Sequence, residues 1–174
     1  MSHSFNQKVI DYMNAHLVPF AKRLENQPHI AAIRDGFIVV LPFLVVGSFI
    51  MILLIPPFDQ NTTNSFGIAW WKFANWASDY GWRFFQMSFN IISLLTSASI
   101  AYNLAKAYKR EPLPAAFLSV MTFLLVSMPI KDGMIDVKFF GGTGLFTAIF
   151  VAIYSVEVTR LLEKFNICIR LPKE

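Results

Sequence analysis

Charged residues fall in five separate segments of this 174-residue chain, and four stretches between them contain none: residues 36–55, 84–105, 112–130 and 139–156. These stretches are 20, 22, 19 and 18 residues long, so 79 residues carry no charge and all 26 charges sit in the other 95. A bilayer core about 30 Å thick is crossed by about 20 helical residues rising about 1.5 Å each. The pattern predicts an all-α membrane protein, a bundle of about four transmembrane helices. The last stretch is short and opens with Gly141, Gly142 and Gly144, a length that local thinning of the bilayer accommodates. Ahead of the first span, Phe5, Val9, Met13, Leu17, Phe20 and Leu24 recur at steps of three to four among Lys8, Asp11, Asn14, Lys22 and Arg23. That spacing predicts an amphipathic helix lying at the membrane interface, or else packed on the rest of the chain, with Pro19 kinking or dividing it. The expected organisation is therefore a lead over 1–35, a four-span domain over 36–156 and a tail over 157–174.

The basic residues predict the orientation. The lead, the 106–111 loop and the tail together hold eleven Lys and Arg, and the 56–83 and 131–138 loops hold four. By the positive-inside rule the first three segments face the cytoplasm, which puts both termini there in a multi-pass membrane protein. The net charge of +4 thus signals topology and not nucleic-acid binding, since the charges gather on no single face. No cleavable signal peptide is expected, because the first apolar run comes after a long polar lead. Composition agrees with this class: 55% of residues are hydrophobic and 15% charged, and 27 are aromatic, which excludes a disordered chain. One cysteine, Cys168, excludes an internal disulfide framework.

Few residues suggest chemistry. All four tryptophans, Trp70, Trp71, Trp76 and Trp82, lie within 13 residues of the 56–83 segment, which opens with Pro56-Pro57 and reads as a loop. They fit an interfacial anchor, with sugar stacking as the alternative. His3, His16 and His29 have no acidic or cysteine neighbour in sequence, so no metal site is expected. Gly141-Gly142-Thr143-Gly144 lacks the Lys-Ser/Thr of a phosphate loop and reads as close helix packing. Ser93, Thr96, Ser97 and Ser99 read as interhelical hydrogen bonds or the lining of a polar pathway. The small residues Gly47, Ser48, Ser93, Ser97 and Ala101 mark contact stripes, between two copies or inside the bundle. Arg34 and Asp35 read as a local pair at the headgroups, or as a docking or gating element. No Asp, Glu, Lys, Arg or His lies in any of the four stretches, and such groups are the usual mark of relays and substrate sites. No catalytic, cofactor-binding, metal-binding or sugar-binding residue and no cofactor is therefore predicted.

His29-Ile30-Ala31-Ala32-Ile33-Arg34-Asp35-Gly36-Phe37, continuing through Leu41-Pro42 and Val46-Gly47-Ser48-Phe49, resembles the opening of membrane component IIC of the lactose/cellobiose (diacetylchitobiose) phosphotransferase systems. Ile100-Ala101-Tyr102-Asn103-Leu104-Ala105 with Pro112-Leu113-Pro114-Ala115-Ala116 is similar to the second and third spans of that family. Gly144-Leu145-Phe146-Thr147-Ala148-Ile149 and Ile169-Arg170-Leu171-Pro172-Lys173-Glu174 are similar to its fourth span and the stretch beyond that span. Members are much longer, with about ten spans. The resemblance implies that this chain corresponds to the first half, which builds the homodimer interface, and lacks the half with the sugar site and its histidine and glutamate. It implies a fragment inactive in transport alone. The implied partners are membrane lipid, a second copy and, for the full-length family, a cytosolic IIB component and a β-linked disaccharide such as cellobiose, chitobiose or lactose. Cys168 lies in Asn166-Ile167-Cys168-Ile169-Arg170, without the loop a phosphocysteine would need. The alternative reading is a complete small four-helix assembly or regulatory protein without sugar chemistry.

Overall fold

The structure, a computed structural model, describes residues 10, 12–128, 130–131, 134–135 and 137–165. His3, Cys168 and the tail beyond 165 lie outside the described residues, as do Phe5 and Val9 of the expected amphipathic lead. A π-helical turn, Met13–Leu17, leads into α1, Val18–Glu25. Five further helices come next: α2 Pro28–Leu54, α3 Ser65–Asn90, α4 Ile92–Ala107, α5 Pro112–Ser127 and α6 Leu145–Lys164. A two-residue antiparallel pair, Ile130–Lys131 (β1) with Met134–Ile135 (β2), turns the chain between α5 and α6.

Pro19 divides the lead as expected: it has no N–H to give the preceding turn, and the regular α segment begins at Val18 with the proline in its first turn. Phe20 and Leu24 of α1 are exposed and none of its residues is buried, so the apolar face is not packed on the bundle.

α2 and α6, the latter with the 3₁₀ turn Gly142–Gly144 ahead of it, are each long and apolar enough to cross a membrane, with mean hydropathy 2.9 and 1.7 over their best windows. α3 and α4 satisfy the same test together and meet at a 41° bend. α5 is apolar but has 16 residues. The charge-free stretch 36–55 lies almost wholly within α2, which begins eight residues earlier because His29, Arg34 and Asp35 are carried on its first turns. The stretch 84–105 runs across the bend between α3 and α4.

The segment 56–83 is not a loop. Only residues 55–64 connect α2 to α3, and the remainder is helix, entered by Asn64, whose side chain accepts the Phe66 N–H at 3.3 Å. Lys72, Asp79 and Arg83 break the charge-free pattern, although a helix that is polar along one side carries them without difficulty.

α4 is the centre of the bundle. Ile100, Ala101 and Leu104 are wholly buried and pack with Ala32 of α2 and Ala152 and Val156 of α6. A second cluster, Phe123, Ala148 and Val151, joins α5 to α6. α2 runs antiparallel to the α3–α4 pair. Gly36 faces Ile100, Gly47 faces Phe89, and Gly81 faces Leu54. The approach at Gly36 is close enough that an added Cβ would lie 2.5 Å from Ile100 Cγ1 and 3.0 Å from its backbone.

Candidate functional site

The polar groups of the bundle collect in two places, and α4 reaches both. At its N-terminal end the helix starts without a side-chain cap, and the N–H and hydroxyl of Ser93 are met by the turn before α6. Ser93 N–H donates to Phe140 O at 2.8 Å, and Ser93 Oγ donates to Gly141 O at 2.5 Å. A helix N-terminus carries partial positive charge, so carbonyl oxygens are favourable partners there. Gly144 makes the turn possible, because a Cβ at that position would collide with Phe139 O. Further along, Ser97 Oγ and Ser119 Oγ lie 2.7 Å apart between α4 and α5, and Ser119 Oγ also donates to Ser97 O at 3.1 Å. Thr96 donates to Ile92 O within its own helix. Ser93, Thr96 and Ser97 are fully buried. Ser93 and Ser97 therefore tie α4 to its neighbours, Thr96 bonds back to its own helix, and none of the three lines an open pathway.

The expected contact stripes are resolved by the same burial. Ser93, Ser97, Ala101 and Ala105 recur at four-residue steps and are all buried inside the bundle, and Gly47 is covered by Phe89 and Ser88 of α3. These residues serve contacts within one chain. Ser48 is exposed and its hydroxyl donates to Leu44 O in its own helix.

At the other end of α4 the ionisable residues assemble. The helix finishes with Tyr108 N–H on Leu104 O, Lys109 in the left-handed region at φ 57°, and Arg110 N–H returning to Ala105 O at 3.0 Å. This closure places Tyr108 beside the start of α2 and the last turns of α6. Tyr108 Oη donates to Glu157 Oε1 at 2.6 Å, and His29 Nε2 lies 3.0 Å from the same oxygen. Arg160 sits 4.3 Å over the Tyr108 ring and 3.3 Å from Glu157 Oε2. Burial, and then the neighbouring Glu157 carboxylate, push the Tyr108 hydroxyl pKa up, so it remains a donor. Arg110 pairs with Glu163 at 2.6 Å beside a crevice of about 420 Å³ at the start of α5. Arg34 holds Asp35 and Glu25 at 2.9 Å each, linking α2 to the end of α1. The α2 start, the α4 end and the α6 end therefore share one face of the bundle.

His29 has no partner nearby in sequence, since Glu157 is 128 residues away. The one signal available is that both residues border charge-free stretches on segments assigned to the same side. Arg34 and Asp35 do pair locally, as the sequence suggests. The tryptophans divide: Trp70 Nε1 donates to Leu53 O at 3.0 Å and Trp71 Nε1 to Phe58 O at 3.1 Å, satisfying carbonyls at and after the end of α2, while Trp76 is 79% exposed. Among the described residues no group of three or more His, Cys, Asp or Glu side chains is arranged to hold a metal ion.

Comparison with known proteins gives this arrangement its context. The family profile of the phosphotransferase system EIIC component matches residues 34–174. The chain belongs to the phosphotransferase-system EIIC family. This EIIC chain is 30% identical over 95% of its length to the lichenan permease IIC component of Bacillus subtilis strain 168 and covers 38% of that protein. It is 32% identical, again over 95% of its length, to the cellobiose-specific EIIC component of Geobacillus stearothermophilus and covers 39% of it. The crystal structure of the transporter ChbC, the IIC component of the N,N'-diacetylchitobiose-specific system, superposes with a TM-score of 0.76 and 31% identity over 93% of this chain and 40% of that one. The chain thus spans about two-fifths of the length of these relatives. It also matches lactose-specific EIICB components, including one from Staphylococcus epidermidis at 31% identity over 90% of this chain and 27% of that protein.

Proposed function

We propose that this chain is the N-terminal scaffold and dimerisation portion of a bacterial sugar permease of the phosphoenolpyruvate-dependent phosphotransferase system, of the branch handling β-linked disaccharides such as cellobiose, chitobiose or lactose. The observation that carries the reading is the match itself: 95% of the chain aligns with about two-fifths of the lichenan and cellobiose permeases. The buried structure supports a scaffold role, because the buried polar side chains among the described residues are serine and threonine hydroxyls, most of which bond to another part of the chain or to their own helix. No ionisable side chain is available there for a sugar or a phosphoryl group. Alone, the chain neither transports nor phosphorylates.

In this reading the face bearing Arg34, Tyr108, Arg110, Glu157 and Arg160 is cytoplasmic, as the distribution of basic residues requires. There it is accessible to a cytosolic IIB component, the module fused to EIIC in the EIICB relatives. Two copies associate through lipid-facing surfaces and not through the serine stripe of α4, which is already occupied within the chain. The test is the mass of the protein in mild detergent. Light scattering and cross-linking are expected to give a dimer, and Ser97→Phe is expected to abolish folding without acting on the dimer selectively. Monomer alone across a range of detergents and concentrations would remove the dimerisation role.

A further inference from the structure

One polar site in the bundle has no partner in the described part of this chain. A groove of about 410 Å³ runs between α2, α4 and α5 on the outer surface. Val39 and Phe43 form one wall, Ala98 and Ala116 leave it shallow, and Ser99 and Asn103 stand one helical turn apart along its α4 side. Ser99 is 9% exposed, and its Oγ has no hydrogen-bond partner among the described residues. Asn103 donates one N–H to Ser99 O at 2.9 Å, and its carboxamide makes no other hydrogen bond among the described residues. An amide can make up to four such bonds.

The groove lies beside α2, which is long and apolar enough to cross the bilayer, and within a bilayer acyl chains offer polar groups nothing and each one left unpaired is costly. Lipid therefore fits the walls but not the Ser99–Asn103 side. A sugar would fit the polar side but not the valine and phenylalanine walls, since sugar sites need many convergent hydrogen-bonding groups. A transmembrane helix fits both. Small residues such as Ala98 and Ala116 allow a neighbouring backbone to come close, and a Ser, Thr, Asn or Gln side chain on it would complete the unpaired amide. The relatives carry about three-fifths of their length outside the part matched here, and that length must pack against the matched part on some face.

We propose that the α2–α4–α5 groove is the seat of a transmembrane helix from the remaining portion of the permease, held by a hydrogen bond to Asn103 and Ser99. This rests on the reading of the chain as one portion of a longer EIIC protein.

The test compares the chain alone with a chimera in which residues 1–174 replace the matched stretch of the Bacillus subtilis lichenan permease IIC component. Photoreactive p-benzoylphenylalanine at Phe43 is expected to cross-link, in the chimera, to a peptide from the permease portion. Asn103→Ala is expected to lower the Tm of the chimera by several degrees and leave that of the chain alone unchanged. Cross-links from Phe43 only to lipid, or only to a second copy, would overturn the proposal, as would equal effects of Asn103→Ala in both proteins. In those cases the chimera still folds and the scaffold reading stands. A chimera that fails to accumulate in the membrane under conditions where the parent does so would remove the scaffold reading, and the groove assignment with it.

Discussion

Gly36 shows how one residue fixes a helix pair. It lies in the first third of α2 with Ile100 of α4 directly opposite, and an added methyl group would meet both the side chain and the backbone of Ile100. Side chains can turn aside, but the backbone at the wholly buried Ile100 cannot move without disturbing its contacts with α6. Gly36→Ala should therefore destabilise the bundle by about 1–3 kcal/mol, the usual cost of overpacking a tight contact, although alanine is the better helix former. Unfolding by denaturant in detergent checks this, and an alanine variant as stable as the parent would show that α2 and α4 are not held this closely. His29 makes a different point at the same scale. Its bond to Glu157 joins the beginning of the bundle to its end. A partly exposed pair of this kind contributes little stability, about 0–1 kcal/mol, so its importance is in aligning three helix ends.

At the scale of elements, the charge-free stretches locate both ends of α5 and the far end of α2 within three residues and overlap α6, because apolar length is what a bilayer selects. They do not show the first three-quarters of α3, since Lys72, Asp79 and Arg83 interrupt the pattern. They also do not show the bend at Ile91, which contains neither proline nor glycine and coincides with a tertiary contact. The carbonyls of Phe140 and Gly141 take the Ser93 donors at the start of α4, just past the bend. Sequence periodicity has no access to a partner 48 residues distant. If this contact sets the bend, Gly144→Ala should push the turn away from α4 and expose the first amides of that helix. Hydrogen exchange should then accelerate at Ser93 while the amides around Ile100 stay protected. Unchanged exchange at Ser93 would mean that the turn adapts to the bend and does not impose it.

At the scale of the whole molecule, membrane class and family are legible in the sequence, whereas the assembly of the ionisable face is not. The residues of that face come from positions 25–35, 108–110 and 157–163, and each group taken alone reads as ordinary headgroup charge. Their meeting on one face has a consequence for topology: the opposite end of the bundle, with the 55–64 connection and the turn before α6, is expected outside the cell. Cysteines introduced at Asn61 and Val137 should react with an impermeant maleimide added to intact cells. Labelling of either one only after the cytoplasmic side is opened would reverse the orientation. Of the small residues that mark contact stripes in sequence, Gly47, Ser93, Ser97 and Ala101 are used inside the bundle, because a stripe of Ser and Ala looks the same whether it meets a neighbouring helix or a second copy.

On the proposed function, the chain supplies scaffold and no sugar chemistry. The direct measurement is phosphoenolpyruvate-dependent uptake of labelled cellobiose, chitobiose and lactose by cells that lack other transporters for these sugars and express residues 1–174 together with the soluble phosphotransferase components. The expected result is no accumulation and no phosphorylated sugar above cells without the chain, with the protein itself present in the membrane fraction. Accumulation of any one of the three as its phosphate would contradict the claim.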